Sequence, residues 1–172
     1  LSAVLFLPKH ADLIAERSKM QANTKPGDRV LAPLASMVGP LALVLVGGLD
    51  ARFHWSAEPP LGLFLLAVLV GLGASIFVLW AMLTNRFFAA TVRIQEDRGH
   101  HVIDSGPYRI VRHPGYLGAV VYDLVVPLVL GSWWAFIPAV LTVALIFVRT
   151  ALEDRTLQAE LPGYVQYAQR TK

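Results

Sequence analysis

Two stretches of the chain, LAPLASMVGPLALVLVGGL over residues 31–49 and LGLFLLAVLVGLGASIFVLWAML over residues 61–83, run for 19 and 23 positions without a charged side chain. A helix needs about 20 apolar residues to cross the hydrocarbon core of a bilayer, so both stretches predict transmembrane helices. A third apolar region, residues 114–157, is broken at GSWW into two limbs, 114–130 and 133–157. As a helix the first limb would rise about 25 Å, enough for one arm of a tight helical hairpin. Trp133 and Trp134 would then lie at the far interface, where indole rings settle. The opening residues LSAVLFLP read as the end of a further span cut short; a trimmed signal peptide leaves the same trace.

The polar positions between these runs are unevenly charged. Lys and Arg number five in residues 9–29, one in 50–60, five in 84–113 and four from 149 onward. Such alternation is the positive-inside pattern. It places the first basic segment, the central segment 84–113 and the tail 158–172 in the cytoplasm, with both hairpin turns outside. The expected fold is an all-α integral membrane protein, a multi-span helical bundle forming one domain over residues 1–172. Composition agrees: 55% of the 172 residues are hydrophobic and 16% charged, against about a quarter charged in a soluble domain, and the mean hydropathy is +0.54. The absence of cysteine excludes disulfides, thiolate nucleophiles and thiolate metal sites. A net charge of +3, confined to particular loops, fits membrane orientation and not nucleic acid.

The central segment, TNRFFAATVRIQEDRGHHVIDSGPYRIVRHPGYLG, carries more chemistry than a connector needs. VRIQ suits a short extended stretch, EDRGHH a turn, and SGPY a second turn with Pro107 fixing φ. His113 before Pro114 marks a helix start, because proline suits the first helical position and pushes its predecessor out of the α region. The amides of that helix end face the central segment and favour anions. Beyond the hairpin, RTALEDRTLQAELPGYVQY puts Arg149 and Glu153 four apart on one helical face. The acidic pair Glu153 and Asp154 then returns to the place where His113 to Tyr116 begin the hairpin. Sequence-distant pieces thus make a pocket at the membrane edge.

Each of these residues also has an ordinary reading. Arg109 and Arg112 suit positive-inside flanks, Tyr108 and Tyr116 an interfacial belt, and Arg149 with Glu153 a helix-surface pair. Three histidines, His100, His101 and His113, without cysteine and beside a single acidic cluster, do not compose a metal site. Asp123 is an acid within an apolar helix, which marks either function or a hydrogen bond to Tyr or Ser on a neighbouring helix. Gly71 and Gly73 fit close helix packing.

In order, GHHVIDSGPYRIVRHPGYLG, an apolar hairpin and RTALEDRTLQAELPGYVQY resemble the C-terminal half of the isoprenylcysteine carboxyl methyltransferase family, over about Asn85 to Tyr167. PKHADLIAERS resembles the segment after the first span of bacterial members. The resemblance implies a cytoplasmic cofactor-binding segment, S-adenosylmethionine as methyl donor, and a lipophilic or lipidated acceptor arriving from the bilayer. It implies cofactor contacts at Gln95, His100, His101, Val102, Ile103, Tyr108, His113, Pro114, Gly115, Tyr116 and Glu153. Arg149 falls on the acceptor-binding arginine, and Arg112 joins it in the catalytic set. Carboxyl O-methylation at the cytoplasmic face of a bacterial inner membrane follows as the implied activity. The turn between Gln95 and His100 is shorter than in eukaryotic members, and the acidic pair is Glu-Asp where the family has Glu-Glu.

The residue types suit that chemistry. A sulfonium cation, an amino acid end and an adenosine call for aromatic faces, a carboxylate and backbone donors, while a carboxylate acceptor needs alignment and an arginine fork but no general base. Two other readings fit part of the pattern. A membrane reductase of the steroid 5α-reductase type, using NADPH, also ends in a Pro-x-Tyr hairpin, but those enzymes usually carry Glu directly after Tyr-x-Gly, where this chain has Ala119. A non-enzymatic membrane scaffold would use the polar segment only to dock a partner and would ignore S-adenosylmethionine.

Overall fold

In the computed structural model, Lys25, residues 27–89 and residues 91–172 are described; the LSAVLFLP and PKHADLIAERS stretches lie outside them. The described chain is helical, with no strand. Helix α1 spans Asp28–Phe53, α2 spans Leu61–Thr84, α3 spans Pro114–Val129, α4 spans Phe136–Glu160 and α5 spans Tyr164–Arg170. Helices α1, α2 and α4 are long and apolar enough to cross a membrane, while α3 is the shorter hairpin limb. The expected bundle and hairpin are present. Helix α1 begins three residues before Leu31 because Asp28 is buried and paired, not solvated. It widens to a π turn at Leu34–Val38: Pro40 has no N–H for the carbonyl of Ser36, and the wider turn absorbs the missing bond. VRIQ forms no strand. Val92 instead accepts from Lys25 N–H and donates to Asp28 Oδ2, at 3.2 and 2.7 Å, so its backbone is satisfied by the start of α1.

The side chains are arranged for lipid. Leu65, Leu66, Leu69, Leu72, Ile76 and Leu79 of α2 are exposed, whereas its buried positions are small: Ala67, Gly71, Ala74 and Ala81. Large residues face lipid, where leucine is as well solvated as in a core, and small ones let backbones approach. Helix α3 packs along this stripe. A Cβ added at Gly118 would fall 2.5 Å from Val78 Cγ2 and 3.1 Å from the Ala74 carbonyl, so only glycine fits there. Of the two glycines expected to pack, Gly71 lies against Val125, but Gly73 has nothing within 4 Å and points outward. Gly73 corrects the expectation, because residues two apart on a helix cannot share a face.

The two ends of the bundle differ. At one, the buried carboxylate of Asp50 accepts from Ser56 N–H and Oγ at 2.7 and 2.6 Å and from Ser132 Oγ. Trp133 donates from its backbone to Ser56 Oγ and from its indole to the Ala57 carbonyl, at 3.1 and 3.2 Å. Both hairpin turns are thereby tied together, with Trp55, Trp133 and Trp134 half exposed around them. At the other end the central segment meets α5: Arg112 N–H donates to the Lys172 carbonyl at 2.7 Å, and Tyr167 Oη to the Tyr108 carbonyl at 2.7 Å. The chain returns to the end it left, as a hairpin must.

The helix contact yields a test. Gly118→Val should destabilise the protein by about 1–3 kcal/mol through overpacking, read as a lower unfolding midpoint in detergent. Gly73→Ala, on the open face, should change stability by less than about 0.5 kcal/mol.

Candidate active site

At the end where the central segment meets α5, a cavity of about 300 Å³ opens between that segment, the start of α3 and the last third of α4. Thirteen residues were singled out from sequence, Gln95, His100, His101, Val102, Ile103, Tyr108, Arg112, His113, Pro114, Gly115, Tyr116, Arg149 and Glu153, and all of them line it. Phe87, Phe88 and Ser36, unmarked beforehand, line it as well, as do Tyr164 and Tyr167 of the GYVQY stretch.

One wall is built on Asp154. Its carboxylate accepts from Arg112 Nη1 at 3.0 and 2.9 Å, His113 Nε2 at 3.1 Å, Tyr164 Oη at 2.8 Å and Gln158 Nε2 at 2.6 Å. Burial first, and Asp154 next, push the Tyr164 phenol above its ordinary value, so it stays a donor. Burial likewise moves Tyr167 up to about 12. Arg112, grouped with Arg149 as catalytic from sequence, pairs with Asp154 and lines the cavity. Its Nε is nevertheless the one buried side-chain polar atom among the described residues without a hydrogen-bond partner. Such an orphaned donor calls for a polar group from outside the chain.

The opposite wall holds the charges expected to act. Tyr116 Oη donates to Glu153 Oε2 at 2.7 Å, which aims the carboxylate at the start of α3. Arg149 lies over the Tyr116 ring, its guanidinium carbon 5.5 Å from the centroid. Its Nε and Nη2 donate to Asp28 Oδ1 and Oδ2 at 2.7 and 3.3 Å. Asp28 carried no signal in the sequence, since a lone acid ahead of an apolar run looks like a loop charge. Helix α3 opens at Pro114 with no side-chain cap on its amides. At Gly115 a Cβ would lie 2.6 Å from the Phe88 ring, so glycine lets that ring cover the helix start. Asp123, further along the same helix, is buried and forms no hydrogen bond to a described residue, so of its two readings the bond to Tyr or Ser is not found among the described residues.

The third side is the turn from Gln95 to His100, a 3-10 turn at Glu96–Arg98 closed by Gly99 at φ 63°. Gln95 is buried; its Nε2 donates to the Phe87 carbonyl at 2.6 Å and its Oε1 accepts from Arg98 Nη1 at 2.8 Å. Its side chain therefore holds the turn. His100 and His101 flank the Phe87 ring at centroid distances of 4.6 and 5.0 Å, while His113 sits on Asp154, so the three histidines do not converge. His100 Nδ1 accepts from the Gln95 N–H at 3.3 Å, which requires the neutral ring. Burial foremost, with His101, Arg93 and Arg98 adding repulsion, lowers its pKa to about 4 from 6.5.

The folded protein thus keeps His100 neutral where the unfolded chain would protonate it. Stability from this group is fully present above pH 6.5 and is lost as pH falls toward 4. Equilibrium unfolding should show this decline between those limits, and His100→Gln should flatten it.

Sequence comparison adds an independent finding. A profile of the isoprenylcysteine carboxyl methyltransferase family matches residues 65–159, from within α2 through nearly all of α4. No curated protein matches the chain. With more than half its length matched, and the matched part supplying α3, α4 and most of the cavity wall, the chain belongs to the isoprenylcysteine carboxyl methyltransferase family and is a membrane methyltransferase.

Proposed function

We propose that the protein transfers the methyl group of S-adenosylmethionine to the carboxylate of a lipophilic, isoprenylcysteine-like acceptor at the cytoplasmic face of a bacterial inner membrane. The carrying observation is the cavity itself, which joins Glu153, Tyr116, Arg112 and the uncapped start of α3 in one volume at the basic end of an apolar bundle. About 300 Å³ lies at the lower end of the range for small-molecule sites.

The donor set fits this cofactor. The α3 amides and Arg112 Nε supply N–H groups for a carboxylate, Glu153 a counter-charge for a cation, and Phe87, Phe88, Tyr108 and Tyr116 the aromatic faces that a sulfonium and an adenine prefer. When bound, S-adenosylmethionine supplies an electrophilic methyl carbon. The chain's part is binding and alignment: Arg149 orients the acceptor, the apolar walls exclude water, and no proton needs moving at a carboxylate. Asp154 keeps His113 and Arg112 in place, and the lipid-facing bundle lets an acceptor's hydrocarbon chain remain in the bilayer.

Two experiments test this reading. Purified protein in detergent should bind S-adenosylmethionine and S-adenosylhomocysteine in the micromolar range by calorimetry, about −8 kcal/mol. Glu153→Gln should weaken that binding by roughly 10- to 150-fold, the loss of one charge-assisted contact; binding of NADPH in place of both would refute it. For topology, single cysteines introduced at Gly99 and Lys172 should both be labelled from the cytoplasmic side, because basic loops stay inside. Labelling on opposite sides would break the assignment.

A further inference from the structure

Three aspartates are buried among the described residues, and two of them are held by donors: Asp28 by Arg149 and the Val92 N–H, Asp50 by Ser56 and Ser132. Asp123 is 8% exposed and has no hydrogen-bond partner among the described residues. The hydroxyls of the helices around it are engaged elsewhere. Ser36, Ser75, Thr84, Thr142, Thr150 and Thr156, every Ser and Thr of α1 to α4, each donate to the carbonyl four positions back on their own helix. An acid buried in an apolar bundle without a partner is costly, so one inside a membrane marks a functional contact.

Its place on α3 says what that contact serves. Tyr116, Ala119, Asp123, Val126 and Leu130 follow one another at spacings of three and four, so they form one stripe. The upper members, Tyr116 and Ala119, line the cavity. The lower members are closed in: Val126 packs on the Leu43, Ala135 and Ala139 cluster, and Leu130 lies against Gly47, where a Cβ would fall 2.9 Å from Leu130 Cδ1. Asp123 is the step between the two, one turn beyond the small side chain of Ala119 and about 10 Å of helical rise from Tyr116. A ligand that reaches down this stripe from the cavity therefore meets the acid before it meets dry packing. A carboxyl accepts when ionised and both donates and accepts when protonated. An alcohol hydroxyl complements either form and brings no charge into the apolar interior, whereas an ammonium matches only the ionised form and must itself leave water. We infer that Asp123 is a specificity-determining residue that recognises a hydroxyl on the hydrocarbon part of the acceptor, roughly 10 Å from the group methylated beside Tyr116. The inference rests on the proposed carboxyl methylation and narrows its substrate class.

The full-length chain in detergent, with S-adenosylhomocysteine present, provides the test by calorimetry. The probes are straight-chain carboxylic acids of about 8 to 14 carbons, straddling the expected rise, each with a terminal methyl, hydroxyl or amine. Wild type should bind the best-fitting hydroxy acid tighter than its plain counterpart by a ratio about 5- to 100-fold above the ratio found for Asp123→Leu. Partition into the micelle is common to both proteins and cancels. Asp123→Asn, which keeps a polar group of the same shape, should stay within about threefold of the wild-type ratio. Should Asp123→Leu not yield folded protein, Asp123→Ala takes its place with the same expectation. A merely structural role would shift the affinities for all three probes together and leave their ratios unchanged, which overturns the inference, as does tighter binding of the amine. Methyl-labelled S-adenosylmethionine with the same acids then separates the two levels. An alkali-labile ester formed without any hydroxyl preference sinks the role of Asp123 alone. Hydroxyl-selective binding that never yields an alkali-labile label sinks the carboxyl reading and leaves Asp123 as a hydroxyl-binding residue, and failure of all the acids to bind sinks both.

Discussion

Asp154 stands where three parts of the chain meet: the end of the central segment through Arg112 and His113, the last turns of α4 through Gln158, and the start of α5 through Tyr164. A carboxylate at the edge of an apolar bundle is costly unless donors surround it, and the donors it gathers are what give the cavity its shape. The described residues of the central segment form no strand and only two short 3-10 turns, so bonds of this kind, together with those of Val92 to Asp28 and Tyr167 to Tyr108, hold it in place. The same carboxylate matches the charge of Arg112 and fixes the ring of His113, immediately before the helix start that faces the cavity.

The bundle beneath supplies what that polar cap lacks. In lipid, helices gain little from burying leucine, so close contact of small residues and satisfied polar groups must hold them. The Ala67, Gly71, Ala74 and Ala81 stripe against Gly118 does this between α2 and α3, and Asp50 with its serine donors does it at the far turns. The far end is thereby closed by hydrogen bonds and the near end is left to the site. A rigid lower bundle with chemistry at one rim suits a reaction that depends on alignment more than on acid or base groups.

The division of labour among the acids follows from their surroundings. Asp28 and Asp154 are each matched by an arginine, whereas Glu153 is approached by a neutral phenol. A carboxylate steadied by a hydroxyl keeps its charge available to a cationic ligand; one clamped by a guanidinium has it largely cancelled. Neighbouring acids on one helix, Glu153 and Asp154, therefore serve different ends.

The sequence alone determined the spans, the hairpin and the helix start at Pro114, because lipid demands long apolar runs and proline constrains its predecessor, and both effects are local. It also marked thirteen of the residues that line the cavity, because their order along the chain is a family pattern. What only the tertiary structure decided are the pairings. Arg149 lies one helical turn from Glu153, yet its side-on bonds run to Asp28, which is 121 positions away. Arg112 is paired with Asp154 across the cavity wall, a contact that no spacing announced, and Gly73 looked like a packing residue until its face proved open. Spacing along a helix says which residues share a face; which acid meets which base depends on how separate helices are set against one another, and nothing local in the chain encodes that.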